Sequence, residues 1–259
     1  MRILTSSIMR WFLFVCAATQ AQDQLPQPIL APPRDLRAAA NLTTSIQLLK
    51  VFVQDEQAHF ILRNNGSSPI TALLFSINNS TVVIEFLAPI NDGVAPGATH
   101  EQVTGIPGPL SQDGVVIPGQ KERFSLDAAA FESAPPEGDR AGIAAIAGIR
   151  AGRTAQLLRA MPLIERALGD PEVYSALDTL IAALTTLPES VADESGLHMF
   201  SAGLRDAKRS LLHEIQPLKG GRSVSPIDVR KQLSSIHSRH AGILNHLKQQ
   251  DGIAKQGRS

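Results

Sequence analysis

The hydrophobic pattern changes period about halfway along the chain. From about Asn41 to Phe131, short apolar runs are separated by clusters of turn formers. The runs are Ile46–Val53, Ala58–Arg63, Ile70–Ile77, Thr81–Leu87, a poorer one near His100–Gly105, and Lys121–Phe131. Between them lie Asn64-Asn65-Gly66-Ser67-Ser68-Pro69, Asn78-Asn79-Ser80, Asn91-Asp92-Gly93, Pro96-Gly97 and Pro118-Gly119, whose side chains favour tight turns. Strands that return at this spacing with no helical period between them predict an antiparallel β-sandwich of the immunoglobulin-like kind. Alternation agrees, with Ala58, Phe60 and Leu62 on one face and His59 and Arg63 on the other.

Beyond the corner Pro135-Pro136-Glu137-Gly138-Asp139, apolar residues recur every three or four positions. The stripes are Thr154, Leu157, Met161, Ile164, Leu168; Val173, Leu177, Leu180, Leu184, Leu187; Leu197, Phe200, Leu204, Ala207, Leu211; and Val229, Leu233, Ile236, His240, Ile243, Leu247. Each is the core-facing side of a helix. Asp170-Pro171 and Ser225-Pro226 each predict a capping side chain before a proline at the first helical position, and Gly169 and Gly220-Gly221 mark ends. Pro162 falls inside the first stripe and predicts a kink or a division near Arg159. The expected fold class is therefore α+β, an N-terminal antiparallel immunoglobulin-like β-sandwich (residues 41–135) followed by a C-terminal α-helical bundle or helical hairpins (136–259).

The N-terminal residues carry a different signal. Arg2 and Arg10 precede the apolar run Trp11 to Ala18, and small residues follow to Ala21. That arrangement reads as a secretory signal peptide over residues 1–21, since the run is shorter than the ~20 residues a membrane helix needs. Export to the periplasm or the medium is the expectation, with no transmembrane helix after signal removal. Cleavage removes Cys16, the only cysteine, so disulfides and thiol chemistry are not expected. Residues 22–40, with Pro26, Pro28, Pro32 and Pro33, read as an extended linker.

Composition narrows the partners. The chain has 24 Lys+Arg against 24 Asp+Glu, which supplies no overall charge to attract nucleic acid or an anionic surface. Aromatic residues make up 4%, too few for stacking platforms, so nucleic acid is not expected as a partner. Charge is nonetheless unevenly placed, because residues 1–138 are net acidic and 139–259 net basic. Solvated helix faces account for that split, and docking of the two halves by opposite charge is the alternative.

Candidate chemistry is sparse. The run Gly114 to Lys121 approaches a phosphate loop, but Gln120 interrupts it and a strand follows where a helix is needed. His213-Glu214 lacks a second histidine one turn on, and no Gly-x-Ser-x-Gly elbow occurs. The carboxylates Glu132, Glu137 and Asp139 flank the corner and could hold calcium on a Gly/Pro-rich loop. The simpler reading makes Asp139 a helix cap and the glutamates solvated. His237, His240 and His246 are three and six residues apart and point in different directions around a helix, which argues against shared metal ligation. Arg205, Lys208, Arg209, Arg222, Arg230, Lys231 and Arg239 could attract an anion, but on exposed helix faces they need no function. No catalytic, cofactor-binding or metal-ligating residue, and no cofactor, is assigned.

Taken with the signal, the segment Asn65 to Thr71 ending Ser68-Pro69-Ile70-Thr71, the Pro-Gly before the last strand, and Phe131-Glu132 leading through Glu137-Gly138-Asp139 to Arg150-Ala151-Gly152-Arg153 resemble a group of uncharacterised exported bacterial proteins. The resemblance covers residues 46 to 168. It implies an immunoglobulin-like domain followed by helices, and it brings no activity. Ser133-Ala134 stands where that group carries Asp-Gly. The reading is a non-enzymatic envelope or secreted interaction or structural module with an unidentified protein partner. A hydrolase or metal-binding protein with a site between the two halves is the alternative.

Overall fold

The computed structural model describes residues 34–35, 40–78, 80–87, 93–106, 124–191, 197–220 and 225–256. The export segment at 1–21, most of residues 22–40, the Gly114–Lys121 run and Arg222 lie outside the described residues. Strands in two sheets occupy the N-terminal half and four helices the C-terminal half. The strands are β1 (Arg34–Asp35), β2 (Ala40–Asn41), β3 (Ile46–Gln54), β4 (Gln57–Asn64), β5 (Ile70–Ile77), β6 (Ser80–Glu85), β7 (Thr99–Gly105), β8 (Phe124–Phe131) and β9 (Glu137–Gly138). The first sheet has the order β1-β3-β4-β7, the second β2-β8-β5-β6, and β9 also pairs with β8.

Six of these strands follow the apolar runs to within a few residues, because alternation commits one face to burial. Ala58, Phe60 and Leu62 are fully buried and Arg63 is exposed. They join Leu73, Phe75 and Ile77 of β5 and Leu126 of β8 in one apolar cluster fed by both sheets, with the Phe60 and Phe75 rings 4.2 Å apart. Gln54 pairs with Gln57 across Asp55 and Glu56, which both have positive φ, 50° and 60°. That is the geometry of a two-residue hairpin turn. Asn64, buried at the end of β4, donates to Ser68 O (2.9 Å) and Val94 O (2.8 Å) and accepts from Gly66 N (2.9 Å), pinning the following loop.

The pairing is not antiparallel throughout. Ala40 and Asn41 run parallel to Ser125 and Leu126 of β8, and Leu42 N donates to Leu126 O at 2.9 Å. Direction is free here because the long intervening chain lets β2 reach β8 either way, with no hairpin to impose an antiparallel return. Within the proline-rich stretch Arg34 and Asp35 pair with Val53 and Phe52 of β3.

The helices are α1 (Arg140–Gly169), α2 (Val173–Thr186), α3 (His198–Gly220) and α4 (Pro226–Gln256). Leu157, Ile164, Leu177, Leu184, Leu211 and Leu233, among the stripe residues, are buried in a second cluster drawn from all four helices. The helix is not divided at Pro162. Leu157 and Met161 before it and Ile164 and Ala167 after it are anchored in the same cluster, which offsets the lost backbone hydrogen bond. Ser225 caps α4 as expected, accepting from Asp228 N at 3.2 Å. Asp170-Pro171 does not cap α2, which begins two residues later at Val173. Asp170 instead terminates α1, and its side chain accepts from Glu172 N at 2.8 Å in an Asx turn that competes with helical geometry. Among the described residues, no helix is long and apolar enough to cross a membrane.

α1 makes two close approaches, one to the second sheet and one to α3. Ala72, Leu74, Ala128 and Ala130 on the outer face of the second sheet meet Ile146 and Ile143 of α1, so β5 is buried on both sides. Small residues permit this, since a Cβ on Gly142 would come within 2.9 Å of Ala128 Cβ. Further along, α1 and α3 meet backbone to backbone: a Cβ on Gly152 would overlap Phe200 O, and one on Gly203 would overlap Ile149 O.

Candidate functional site

β6 ends in a carboxylate after an apolar run, and α1 presents Arg150 and Arg153, three residues apart and hence on one helix face. The fold brings them together. Arg150 Nε lies 3.1 Å from Glu85 Oε1, and Arg153 Nη1 bonds Glu85 Oε2. Arg150 Nη2 also donates to Thr71 Oγ1 of β5 at 3.0 Å, and Arg153 Nη2 lies 3.5 Å from Asp206 Oδ2 of α3. The Glu85 side chain is 4% exposed and that of Asp206 53%. Burial pushes the Arg150 guanidinium below its ordinary pKa, and the attraction of Glu85 opposes this. One carboxylate therefore joins the second sheet to α1, with Asp206 meeting the cluster from its rim.

Beside this network opens a cleft of about 290 Å³. Val83 and Leu87 line one side, Ile149 and Arg153 of α1 and Met199 and Ala202 of α3 the others, while Glu85, Thr81 and Asp206 add polar atoms. A carboxylate pair and a guanidinium bounded by apolar walls can bind and orient a charged small molecule. No imidazole lines it among the described residues.

The residues singled out from sequence are dispersed. Asp139 caps α1, its side chain accepting from Gly142 N. Glu137 is not left to solvent: it accepts from Thr44 N at 2.8 Å, Ser45 N at 2.7 Å and the Ser45 hydroxyl. Desolvation pulls its pKa upward, but those hydrogen bonds outweigh it and hold the carboxyl below the ordinary value. Glu132 is exposed. Among the described residues, no group of three or more His, Cys, Asp or Glu side chains is placed to hold a metal ion.

The three histidines of α4 meet three different partners. His237 Nε2 lies 3.2 Å from Glu165 of α1, His240 Nε2 lies 3.2 Å from Glu214 of α3, and His246 Nε2 lies 2.8 Å from Gln250 Nε2. The basic residues are in large part engaged as well. Lys208 is buried and donates to Thr185 O (2.6 Å) and Leu187 O (2.9 Å), closing the C-terminal end of α2. Arg230 donates to Asp170 O at 2.9 Å and to Pro171 O, and Arg239 pairs with Glu214 at 2.6 Å. Two of these cations tie down carbonyls at helix ends, where the dipole favours them.

His240 carries a pH prediction. Its side chain is 4% exposed, and burial lowers its pKa below the ordinary 6.5 more than the adjacent Glu214 raises it. Between the folded and unfolded pKa values the unfolded chain binds more protons, so the fold loses stability as pH falls through about 6.5. His240→Leu should flatten that dependence, measured as the difference in melting temperature between mildly alkaline and mildly acidic solution. Glu214 retains Arg239 in the variant. A remnant slope is expected, because burial and then the nearby Arg150 also lower His246. Parallel curves for the two proteins would rule out a buried-histidine contribution.

Glu85 and Asp206 belong to no motif in the sequence, and Thr71 stands out only as the end of the Ser68-Pro69-Ile70-Thr71 segment, although a lone acid closing the apolar run Val82-Val83-Ile84 is a signal that could have pointed to the first of them. Comparison with protein-family models, with curated proteins and with solved structures finds no match.

Proposed function

We propose that the two sheets form an immunoglobulin-like β-sandwich and the helices a small bundle, in an exported protein, periplasmic or extracellular, that serves as a non-enzymatic interaction or structural module. The resemblance to uncharacterised exported bacterial proteins belongs to the same reading, and the partner is a protein rather than nucleic acid. The observation that carries it is the outer face of the first sheet. Phe52, His59 and Val103 stand in one cross-strand row, and Lys50, Ile61 and Glu101 in the next. Phe52 and His59 stack at 4.5 Å, Lys50 Nζ lies 4.9 Å above the Phe52 ring, and His59 Nδ1 lies 2.7 Å from Glu101. Val103 and, at the β3 bulge, Leu49 are exposed. An ordered aromatic and apolar strip rimmed by charge is the composition of a protein-binding surface. The outer face of the second sheet, by contrast, is covered by α1.

The test is affinity capture of the exported protein from its own envelope fraction, beside Val103→Lys. The expected result is one stoichiometric protein partner, lost in the variant while its melting temperature is retained. Equal capture by both proteins, or no stoichiometric partner, would overturn the reading.

A further inference from the structure

We propose that the cleft between β6, α1 and α3 binds a small monocarboxylate with an apolar body. This stands apart from the outer face of the first sheet and does not depend on it. The anion preference follows from the hydrogen bonds. Arg150 and Arg153 share one buried carboxylate, Glu85, so the two guanidinium charges are met by one buried negative charge. Asp206 approaches Arg153 Nη2 only at 3.5 Å, from a side chain that is 53% exposed. Exposed ion pairs at that separation contribute little, so this contact is displaceable. A ligand carboxylate entering beside Val83 and Met199 would meet the planar edge of Arg153 that Asp206 now holds loosely, and would hydrogen-bond to it with less competition from water.

The apolar body is set by the walls. Ile149, Met199, Ala202 and Val83 offer it no hydrogen-bonding partners, and Met is able to adjust to its shape. A volume of about 290 Å³ is roughly twice the ~150 Å³ cavity that takes benzene, which leaves room for about ten non-hydrogen atoms. Inorganic phosphate lacks the apolar body.

The probe is 3-phenylpropionate, titrated calorimetrically into the full chain beside the neutral 3-phenylpropan-1-ol. For a ligand of this size a dissociation constant between about 10 µM and 1 mM is expected, and the alcohol should bind at least about tenfold more weakly. Asp206→Asn, at an exposed position, should tighten the carboxylate severalfold by removing the competing negative charge, with its melting temperature showing that the variant is folded. Ala202→Phe should abolish binding by filling the cleft, with the melting temperature showing that the variant is folded. Absence of saturable binding by the folded protein, equal affinity for the alcohol, or unchanged or weaker binding in Asp206→Asn would each overturn the proposal.

Discussion

Gly152→Ala is expected to destabilise the fold by about 2–3 kcal/mol, although the same change in an unencumbered helix stabilises by up to about 1 kcal/mol. The reason is the crossing of α1 and α3. A Cβ on Gly152 would overlap Phe200 O and stand 3.1 Å from Leu204 N, so the obstacle is backbone and no rotamer change relieves it. From the other side Gly203 fits against Ile149 O, and a Cβ there would lie 2.8 Å from Arg153 N. The helices must part to admit one methyl group, and the buried neighbours Leu157 and Leu204 would lose contact as they do. Gly169→Ala is the control, because a Cβ at that end of α1 meets nothing within 4 Å. The measurement is the urea midpoint of both variants at unchanged slope. If Gly152→Ala behaved like Gly169→Ala, the backbone contact would be absent in solution. Because Ile149 and Arg153 on α1 face Met199 and Ala202 on α3 across the cleft, the same variant should also widen that cleft.

The glycines show what kind of information a hydrophobic pattern carries. A period of two or 3.6 reports which face is buried, and so Phe60, Leu73, Leu126, Leu177 and Leu233 are legible as core from the sequence alone. It does not report what lies opposite. Gly148 and Gly152 look like interruptions in an alanine-rich helix until α3 is placed against them, and then they are its contact surface. The turn at Asp55-Glu56 is opaque for a related reason, since Asp enters the left-handed region readily but Glu does not, and the pairing of Gln54 with Gln57 is what demands it of Glu56. Strands two residues long, such as β2 and β9, are too short for any period to form.

Charge is legible in sum but not in detail. The acidic first half and basic second half do meet, through Glu85 with Arg150 and Arg153, so docking by opposite charge describes that junction. Elsewhere the basic residues of α3 and α4 serve local ends. Lys208 and Arg230 satisfy carbonyls at the ends of α2 and α1 rather than forming a patch. The His-Glu pair at 213 and 214 has no meaning as a motif, yet Glu214 is the residue that meets His240 and Arg239 across the helix pair. Proximity between α3 and α4 creates that partnership, and no spacing within one helix encodes it.

Glu85→Gln is expected to be the most damaging single change at the sheet-helix junction, with a loss of about 3–5 kcal/mol. The amide has nearly the shape of the carboxylate, so packing is preserved and only the charge is removed. Two guanidinium groups on α1 then remain, with side chains 9% and 15% exposed, and no buried anion between them. Asp206 cannot replace it, since it reaches Arg153 alone and from solvent. The destabilisation should fall on the docking of α1 against the second sheet, because Thr71, Glu85 and Arg150 connect those two layers directly. Hydrogen exchange should therefore show β5 and β6 losing protection together with the N-terminal half of α1. A combined Glu85→Leu, Arg150→Met, Arg153→Met chain separates charge from shape. Replacing a buried ionic cluster with apolar groups of similar volume is often neutral, so the triple variant should be more stable than Glu85→Gln despite carrying three changes. If it were instead less stable, by about the sum of three independent losses, the cost of an unpaired buried charge would not explain the single variant, and the hydrogen bond from Arg150 to Thr71 would carry the junction.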